Sequence, residues 1–268
     1  MNLKPKKSLG QHFLRSRHVL DQIISAASVK SGEVILEIGP GTGILTEALL
    51  NAGAKVVAVE KDIRSFELLK EKFSSEISSG RLSLIQADIL EQKISDFAAL
   101  GLSNSTYALI ANIPYYITGA ILEKFLEHEP RPDRMVLLIQ KEVAERIVAR
   151  DGKESILSVS VKSFGTPRIA ATAPPGAFVP PPTVDSAILS VTGISDKKFK
   201  ENNIETSAFF KIVRAGFAHK RKYLIRNLET VADAEKLKAA WQELGLDNKI
   251  RAEEVGPGQW LKIASALK

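Results

Sequence analysis

No cysteine occurs among the 268 residues. That excludes a disulfide framework, an iron–sulfur cluster and a thiolate nucleophile, and with them the Cys-ligated zinc of base deaminases. No metal is expected. Long apolar stretches are also missing: no run approaches the roughly eighteen residues of a membrane span. The opening Met1-Asn2-Leu3-Lys4-Pro5-Lys6-Lys7 lacks the apolar core of a secretory signal. A cytoplasmic protein is the expectation. Internal repeats and low-complexity segments are absent too. What is present is globular in composition, 44% hydrophobic and 25% charged with 17 Gly and 12 Pro. The length suits one large domain and a small one.

Charge is unevenly placed within a net +6. Lys4, Lys6, Lys7, Arg15 and Arg17 stand in the first eighteen residues with no acid. Residues 196–268 hold 15 Lys/Arg against 10 Asp/Glu, while 19–195 hold 17 against 21. Two basic ends around a mildly acidic centre suit a polyanion gripped on either side of a catalytic body.

Strand-like apolar runs alternate with helical stretches. The strands are Val34–Ile38, Val56–Glu60, Leu82–Gln86, Tyr107–Ala111 and Met135–Ile139. Helical patterns cover Leu45–Asn51, Ile63–Ser75, Ala120–His128 and Lys141–Arg150. This predicts an α/β fold with a parallel sheet covered on both faces and ligands at the strands' carboxyl ends. Arg168–Ala173 and Ala187–Thr192 read as two more strands around the Pro-rich turn Pro174–Thr183. Ile156–Phe164 fits a strand or a helix equally. After about Ser195 the pattern is helical, with Phe210, Val213, Phe217, Leu224 and Leu228 at helical spacing.

Glu37-Ile38-Gly39-Pro40-Gly41-Thr42-Gly43 joins the first strand to a helix. Its G-x-G-x-G spacing differs from the dinucleotide fingerprint, and no Walker lysine follows, so phosphate cradling is disfavoured. Glu60 ends the second strand and can accept both ribose hydroxyls. Asp88 follows the third strand, placed to accept an adenine amino group, with Ile89 packing on the ring. Three such groups in sheet order describe an adenosine without a phosphate site: S-adenosylmethionine.

Asn112-Ile113-Pro114-Tyr115-Tyr116-Ile117 follows the fourth strand. The Asn112 amide oxygen can accept one N–H of an exocyclic amine, and a main-chain carbonyl beside Pro114 the other. Pro114 fixes the turn and donates nothing. Tyr115 offers a stacking face for an unpaired base.

With these residues placed, the chain closely resembles the ribosomal RNA adenine N6,N6-dimethyltransferase family, and within it the small-subunit, kasugamycin-resistance type. The likeness runs through Lys7–Leu14, Glu37–Gly43, Glu60, Gln86–Leu90, Asn112–Ile117, Phe178–Ser186 and Phe210–Leu228. It implies a Rossmann-like S-adenosylmethionine-dependent methyltransferase sheet over residues 1–195, with an N-terminal basic arm. A small helical RNA-binding domain would occupy 196–268. It further implies dimethylation of two adjacent adenosines in a loop near the 3′ end of 16S rRNA, within a partly assembled small ribosomal subunit, by a monomer. By position, His12 and Leu14 would close over the methionine end of the cofactor, although many members carry Asn where His12 stands. Gly39 and Gly41 would line the cofactor, with Glu60 and Lys61 at the ribose and Asp88 and Ile89 at the adenine. Asn112 would serve cofactor and target amine alike. Asn112, Pro114, Tyr115 and Phe178 form the catalytic set, with Tyr115 and Phe178 sandwiching the target adenine. Lys211, Arg214, Lys220, Arg221 and Lys222 would meet RNA phosphates from a helix seated on Phe209, Phe210 and Phe217.

Three other readings compete. A macrolide-resistance type enzyme acting on large-subunit RNA shares the Asn-x-Pro-Tyr core, but Gly10–Leu14 and Phe217–Lys222 favour the small-subunit type. A DNA adenine methyltransferase would need a second recognition domain, which is not visible. Against a ribosome-assembly or transcription factor that uses the fold for binding with catalysis secondary, an intact cofactor set argues that activity is not lost, and a binding role could coexist.

Overall fold

The computed structural model describes residues 3–6 and 9–268; Lys7 and Ser8 of the N-terminal motif lie outside the described residues. The strands are β1 (Phe13–Leu14), β2 (Val34–Ile38), β3 (Lys55–Glu60), β4 (Leu82–Gln86), β5 (Tyr107–Asn112), β6 (Arg134–Gln140), β7 (Thr166–Ala173), β8 (Phe178–Val179) and β9 (Ser186–Thr192). Helices α1 (Arg17–Ala27), α2 (Ile44–Asn51), α3 (Ile63–Lys72), α4 (Ser74–Ser78), α5 (Thr118–Glu127) and α6 (Lys141–Val148) alternate with the first six strands. The rest are α7 (Ile156–Phe164), α8 (Lys197–Glu201), α9 (Thr206–Gly216), α10 (Leu224–Leu228), α11 (Ala234–Leu244) and α12 (Pro257–Ala266).

Seven strands form one sheet in the order β4-β3-β2-β5-β6-β9-β7. The pairs among β2 to β6 are parallel, and β9 joins antiparallel to β6. Central strands such as Tyr107–Ala111 are apolar throughout because both faces are buried. The strand order reverses between β2 and β5, which opens a crevice at their carboxyl ends. Glu37–Gly43, Glu60, Ala87–Asp88 and Asn112 all leave the sheet at that edge.

Local chemistry explains most boundaries. Ser16 caps α1, its Oγ accepting from the Val19 N–H, and Val19, Leu20, Ile23 and Ala27 form its buried stripe. The stretch expected as one helix over Ile63–Ser75 is two, α3 and α4, parted at buried Phe73 (φ −110°, ψ 29°). Asp62 caps α3 by accepting from the Arg64 N–H. The ambiguous Ile156–Phe164 is helical, started by a reciprocal Ser155–Ser158 capping box.

The chain divides into two compact units, Met1–Ala144 with Arg168–Ile194, and Glu145–Pro167 with Ser195–Lys268. A boundary at residue 195 therefore misassigns 145–167. The reason is packing: α7 sits against α9 and α12, so its apolar face belongs to the helical unit. Only contacts distant in sequence carry that information.

Candidate active site

In the first unit a cavity of about 150 Å³ lies at the carboxyl edge of the sheet. Its lining comes from Leu9–Phe13, Ile38, Gly39, Gly41, Val59–Lys61, Ala87–Leu90 and Asn112–Ile117. Nearly every sequence-derived cofactor residue therefore meets at one place, although they come from four strand ends and the N-terminal segment.

The turn after β2 is held by main-chain bonds, Gly39 N–H to the Val59 carbonyl (2.9 Å) and Gly43 N–H to that of Pro40 (2.9 Å). Gly41 has φ +60°, and a Cβ there would lie 3.0 Å from the Phe13 ring, so a side chain would be strained and would crowd that ring. Its N–H donates to Glu60 Oε2 at 3.0 Å, and the Asp62 N–H donates to Oε1 at 2.8 Å. Glu60 is 5% exposed, and burial pushes its carboxyl upward while these two N–H groups oppose the shift. A carboxylate has about four acceptor sites, so it retains capacity for a diol.

Asp88 is committed in a way the sequence did not suggest. Its Oδ2 accepts from Lys61 Nζ at 2.6 Å and its Oδ1 from the Leu90 N–H at 3.0 Å. Burial works against its charge, but these partners hold its carboxyl below the ordinary value. Lys61 is therefore neutralised by Asp88. Ile89 is buried and supplies an apolar wall.

At the end of β5, Asn112 Nδ2 donates to the His12 carbonyl at 3.1 Å. That contact fixes which end of the amide is the acceptor: Oδ1 remains for a ligand. Of the carbonyls near Pro114, its own accepts the Ile117 N–H (3.2 Å) and that of Tyr115 accepts the Thr118 hydroxyl (3.1 Å). Ile113, which also lines the cavity, carries the remaining one. The Tyr115 hydroxyl bonds Ser186 Oγ at 2.6 Å, and its ring lies nearly parallel to His12, centroids 5.8 Å apart. His12 Nδ1 stands 2.8 Å from the Pro180 carbonyl, which only accepts, so Nδ1 bears the proton. Burial raises the Tyr115 phenol, so it stays neutral.

Two assignments are corrected. Phe178 and Leu14 do not line the cavity; both are buried in the hydrophobic core, Phe178 at 2% exposure. They face each other across the antiparallel pair β1–β8, and residues so paired share one face. Here that face is the core. Side chains alternate along a strand, so Phe13 points the other way, into the cavity wall. The aromatic neighbour of Tyr115 is thus His12, and Phe178 fixes the strand pair that carries it.

The sequence reading also missed Asp62. Its carboxylate accepts from Arg64 and from Gln11 Nε2 (3.1 Å) and pairs with Lys6 Nζ (3.7 Å). Arg64 above all, with Gln11, holds its carboxyl down at about 2. Arg64 also reaches the Lys4 carbonyl at 3.0 Å. The N-terminal arm is clasped beside the cavity by this cluster, and Lys6 is spent on it. Its signal in the sequence was only an N-cap position after a strand.

Glu37, one turn of chain before the glycines, is 1% exposed and does not line the cavity. Its Oε2 has no hydrogen-bond partner among the described residues. Burial, reinforced by nearby Glu60, raises its carboxyl to about 8. A raised acid holds its proton better when folded, so stability is greatest below the unfolded value and falls as pH rises toward 8. Glu37→Gln, which stays neutral, should lose less stability than the wild type between pH 5 and pH 8. Urea midpoints at both values check this; parallel losses would contradict it.

In the second unit Lys211 and Arg214 are exposed on α9, and Lys220, Arg221 and Lys222 are exposed in the connector before α10. The tract is two helices and a turn rather than one helix. Asn227 Nδ2 staples the turn, donating to the carbonyls of Gly216 (2.6 Å) and His219 (3.1 Å). Beneath it Phe209 and Phe210 are buried, Phe217 stacks on Trp260 at 5.5 Å, and the Arg214 guanidinium lies 5.5 Å over the Phe210 ring.

The model of the family described as ribosomal RNA adenine dimethylase matches residues 2–268. The chain belongs to that family. It is 41% identical over 263 residues to a protein of Dehalococcoides mccartyi named ribosomal RNA small subunit methyltransferase A, covering 97% of this chain and 88% of the relative. A protein of the same name from a Nostoc species is 37% identical over 279 residues, covering 99% and 98%. Among solved structures, a dimethyladenosine transferase from Plasmodium falciparum superposes with a TM-score of 0.75 at 26% identity, covering 94% of this chain and 96% of that one. As a dimethylase of this family the chain is an S-adenosylmethionine-dependent enzyme acting on rRNA adenine. The cavity suits that cofactor. It offers a buried carboxylate, an apolar wall at Ile89, a glycine turn whose Gly39 and Gly41 line it without side chains, and a lysine paired with Asp88 rather than free for phosphate.

Proposed function

We propose that the chain transfers two methyl groups to the N6 of each of two adjacent adenosines in a loop near the 3′ end of 16S rRNA. The substrate would be a partly assembled small subunit in the cytoplasm, engaged by a monomer. The observation that carries this reading is the pair of fixed groups at the cavity, Asn112 tied to the His12 carbonyl and Tyr115 tied to Ser186. The 41% identity to a named small-subunit methyltransferase supports the choice of RNA.

In this reading Glu60 holds the ribose, Ile89 the adenine ring, and Gly39, Gly41 and the His12 segment the rest of the cofactor. Asp88 meets the adenine amine with a second lone pair while keeping Lys61. When bound, S-adenosylmethionine supplies an electrophilic methyl on a sulfonium. The target base stacks on Tyr115, whose ring cannot swing because its hydroxyl is tied to Ser186. An adenine amine is a poor nucleophile, since its lone pair is delocalised into the ring. Asn112 Oδ1 and the Ile113 carbonyl accept its two N–H bonds and favour a pyramidal nitrogen. The lone pair would form the new N–C bond as the methyl's C–S bond breaks, its electron pair staying on sulfur as a thioether, and the proton released would go to solvent. Orientation and fixed dipoles do this work, with no strong base. A monomethyl amine keeps one N–H, so one acceptor suffices for the second transfer.

Phosphate contacts on the second unit would supply affinity for RNA. Neutralising Lys220, Arg221 and Lys222 together should flatten the salt dependence of binding, by about 2 in log–log slope at roughly 0.7 per phosphate. Cofactor affinity should not change. Filter binding across a salt series reads the slope, and an unaltered slope would exclude this face. The function itself is tested by mass spectrometry of rRNA nucleosides from cells with and without the gene. Loss of dimethyladenosine from large-subunit RNA instead would point to the macrolide-resistance type.

A further inference from the structure

Tyr116 is 64% exposed, more than any other large apolar side chain among the described residues. Single exposed aromatics are common and ordinarily need no explanation. This one sits at the cavity that holds Asn112 and Tyr115. Tyr115–Ile117 is a single 3-10 turn. Three residues per turn set neighbouring side chains about 120° apart. Tyr115 accordingly turns inward to Ser186 and His12, and Tyr116 outward.

The outward ring is backed. Gly10, at φ +57°, lies against it so closely that a Cβ would stand 3.2 Å from the ring. A side chain at Gly10 would displace the ring, so bare backbone supports one side of it. Gly119 and Ala120, three and four residues on, are exposed as well. At 64% exposure most of the Tyr116 ring faces solvent and is available to a flat ligand.

We propose that Tyr116 is a stacking platform for the base adjacent to the one in the catalytic pocket, the second adenosine of the pair. The proposal rests on the reading above, that two neighbouring adenosines are presented in turn to one pocket. While one base is stacked on Tyr115, its neighbour is one phosphodiester away and has lost a stacking partner. The two tyrosines are one peptide unit apart, with Cα atoms about 3.8 Å from each other. Every base has a π-face, so an aromatic platform serves whichever adenosine waits outside.

The test uses the full-length protein, S-adenosylmethionine and small-subunit particles from cells lacking this activity. Tyr116→Ala should raise the KM for particles about tenfold, with kcat for the first adenosine changed less than twofold. The second adenosine should lag, visible as particles dimethylated at one position only. Tyr116→Phe keeps the ring and should restore both. In an RNA carrying 2-aminopurine at the neighbouring position, the wild type and Tyr116→Phe should quench fluorescence on binding, and Tyr116→Ala should not. Unchanged KM, product distribution and quenching in Tyr116→Ala would overturn the proposal. So would a matching tenfold rise in the Kd for S-adenosylmethionine, which would make Tyr116 a cofactor residue. Failure of the wild type to modify these particles would instead refute the choice of substrate and leave no pair to stack.

Discussion

Replacing Asn112 by Ala should lower kcat for methyl transfer by a factor of about 10²–10³, the range for removing one preorganised hydrogen-bonding group that acts on the reacting atoms. The Kd for S-adenosylmethionine should move by less than about tenfold, or 1.4 kcal/mol. The asymmetry follows from the geometry. Asn112 spends its NH₂ on the His12 carbonyl and keeps its oxygen for the amine, so the variant loses orientation rather than the walls of the cavity. Asn112→Asp separates the two ends of the amide. Its oxygens can still accept, but a carboxylate facing the His12 carbonyl has no proton to give, so the N-terminal segment should loosen and kcat should again fall. A tritiated-methyl assay with calorimetric titration of the cofactor measures both quantities, and melting curves verify folding. Turnover of Asn112→Ala within tenfold of the wild type would mean that the amine is held by other groups.

Glu60→Ala should have its large effect on the other parameter. A hydrogen bond to a charged group contributes about 1.5–3 kcal/mol, and Glu60 offers two lone pairs to a diol. Loss of about 3 kcal/mol corresponds to a Kd raised more than a hundredfold. Removal of the carboxylate also strips the Gly41 and Asp62 N–H groups of their buried partner, so the glycine turn is loosened as well. Saturating cofactor should rescue part of the turnover, which distinguishes this variant from Asn112→Ala. NAD should not compete at concentrations where S-adenosylmethionine binds, because among the described residues the only lysine lining the cavity, Lys61, is already paired with Asp88. Cofactor affinity within tenfold of the wild type in Glu60→Ala would displace Glu60 from the ribose.

The two experiments probe residues whose positions were legible for the same reason. Glu60 and Asn112 each end an apolar run, and a run buried on both faces is a strand of a parallel sheet whatever surrounds it. Crossovers between parallel strands then bring every carboxyl end to one edge. The Gly39–Gly43 turn belongs with them, since its conformation is written in glycines.

Phe178, Leu14 and Asp88 belong to the other class. β1 and β8 are two residues each, too short for alternation to announce which face is inward, so the burial of Phe178 and Leu14 is decided by their pairing with each other over the core. A motif containing an aromatic residue does not say whether its ring faces a ligand. The Lys61–Asp88 pair joins residues 27 apart, and the Asp62 clasp gathers Lys6, Gln11 and Arg64. No local pattern encodes such meetings.

The sequence by itself determined the α/β class, the five central strands, the cofactor turn and the two strand-end residues on which the chemistry rests, because these follow from hydrophobic period and backbone preference over a few neighbours. Tertiary structure alone decided that 145–167 joins the helical unit, that His12 rather than Phe178 faces Tyr115, and that the Asn112 amide is turned with its oxygen free. Each of these outcomes depends on which distant groups share a burial or a hydrogen bond, and such partnerships exist only once the chain has folded.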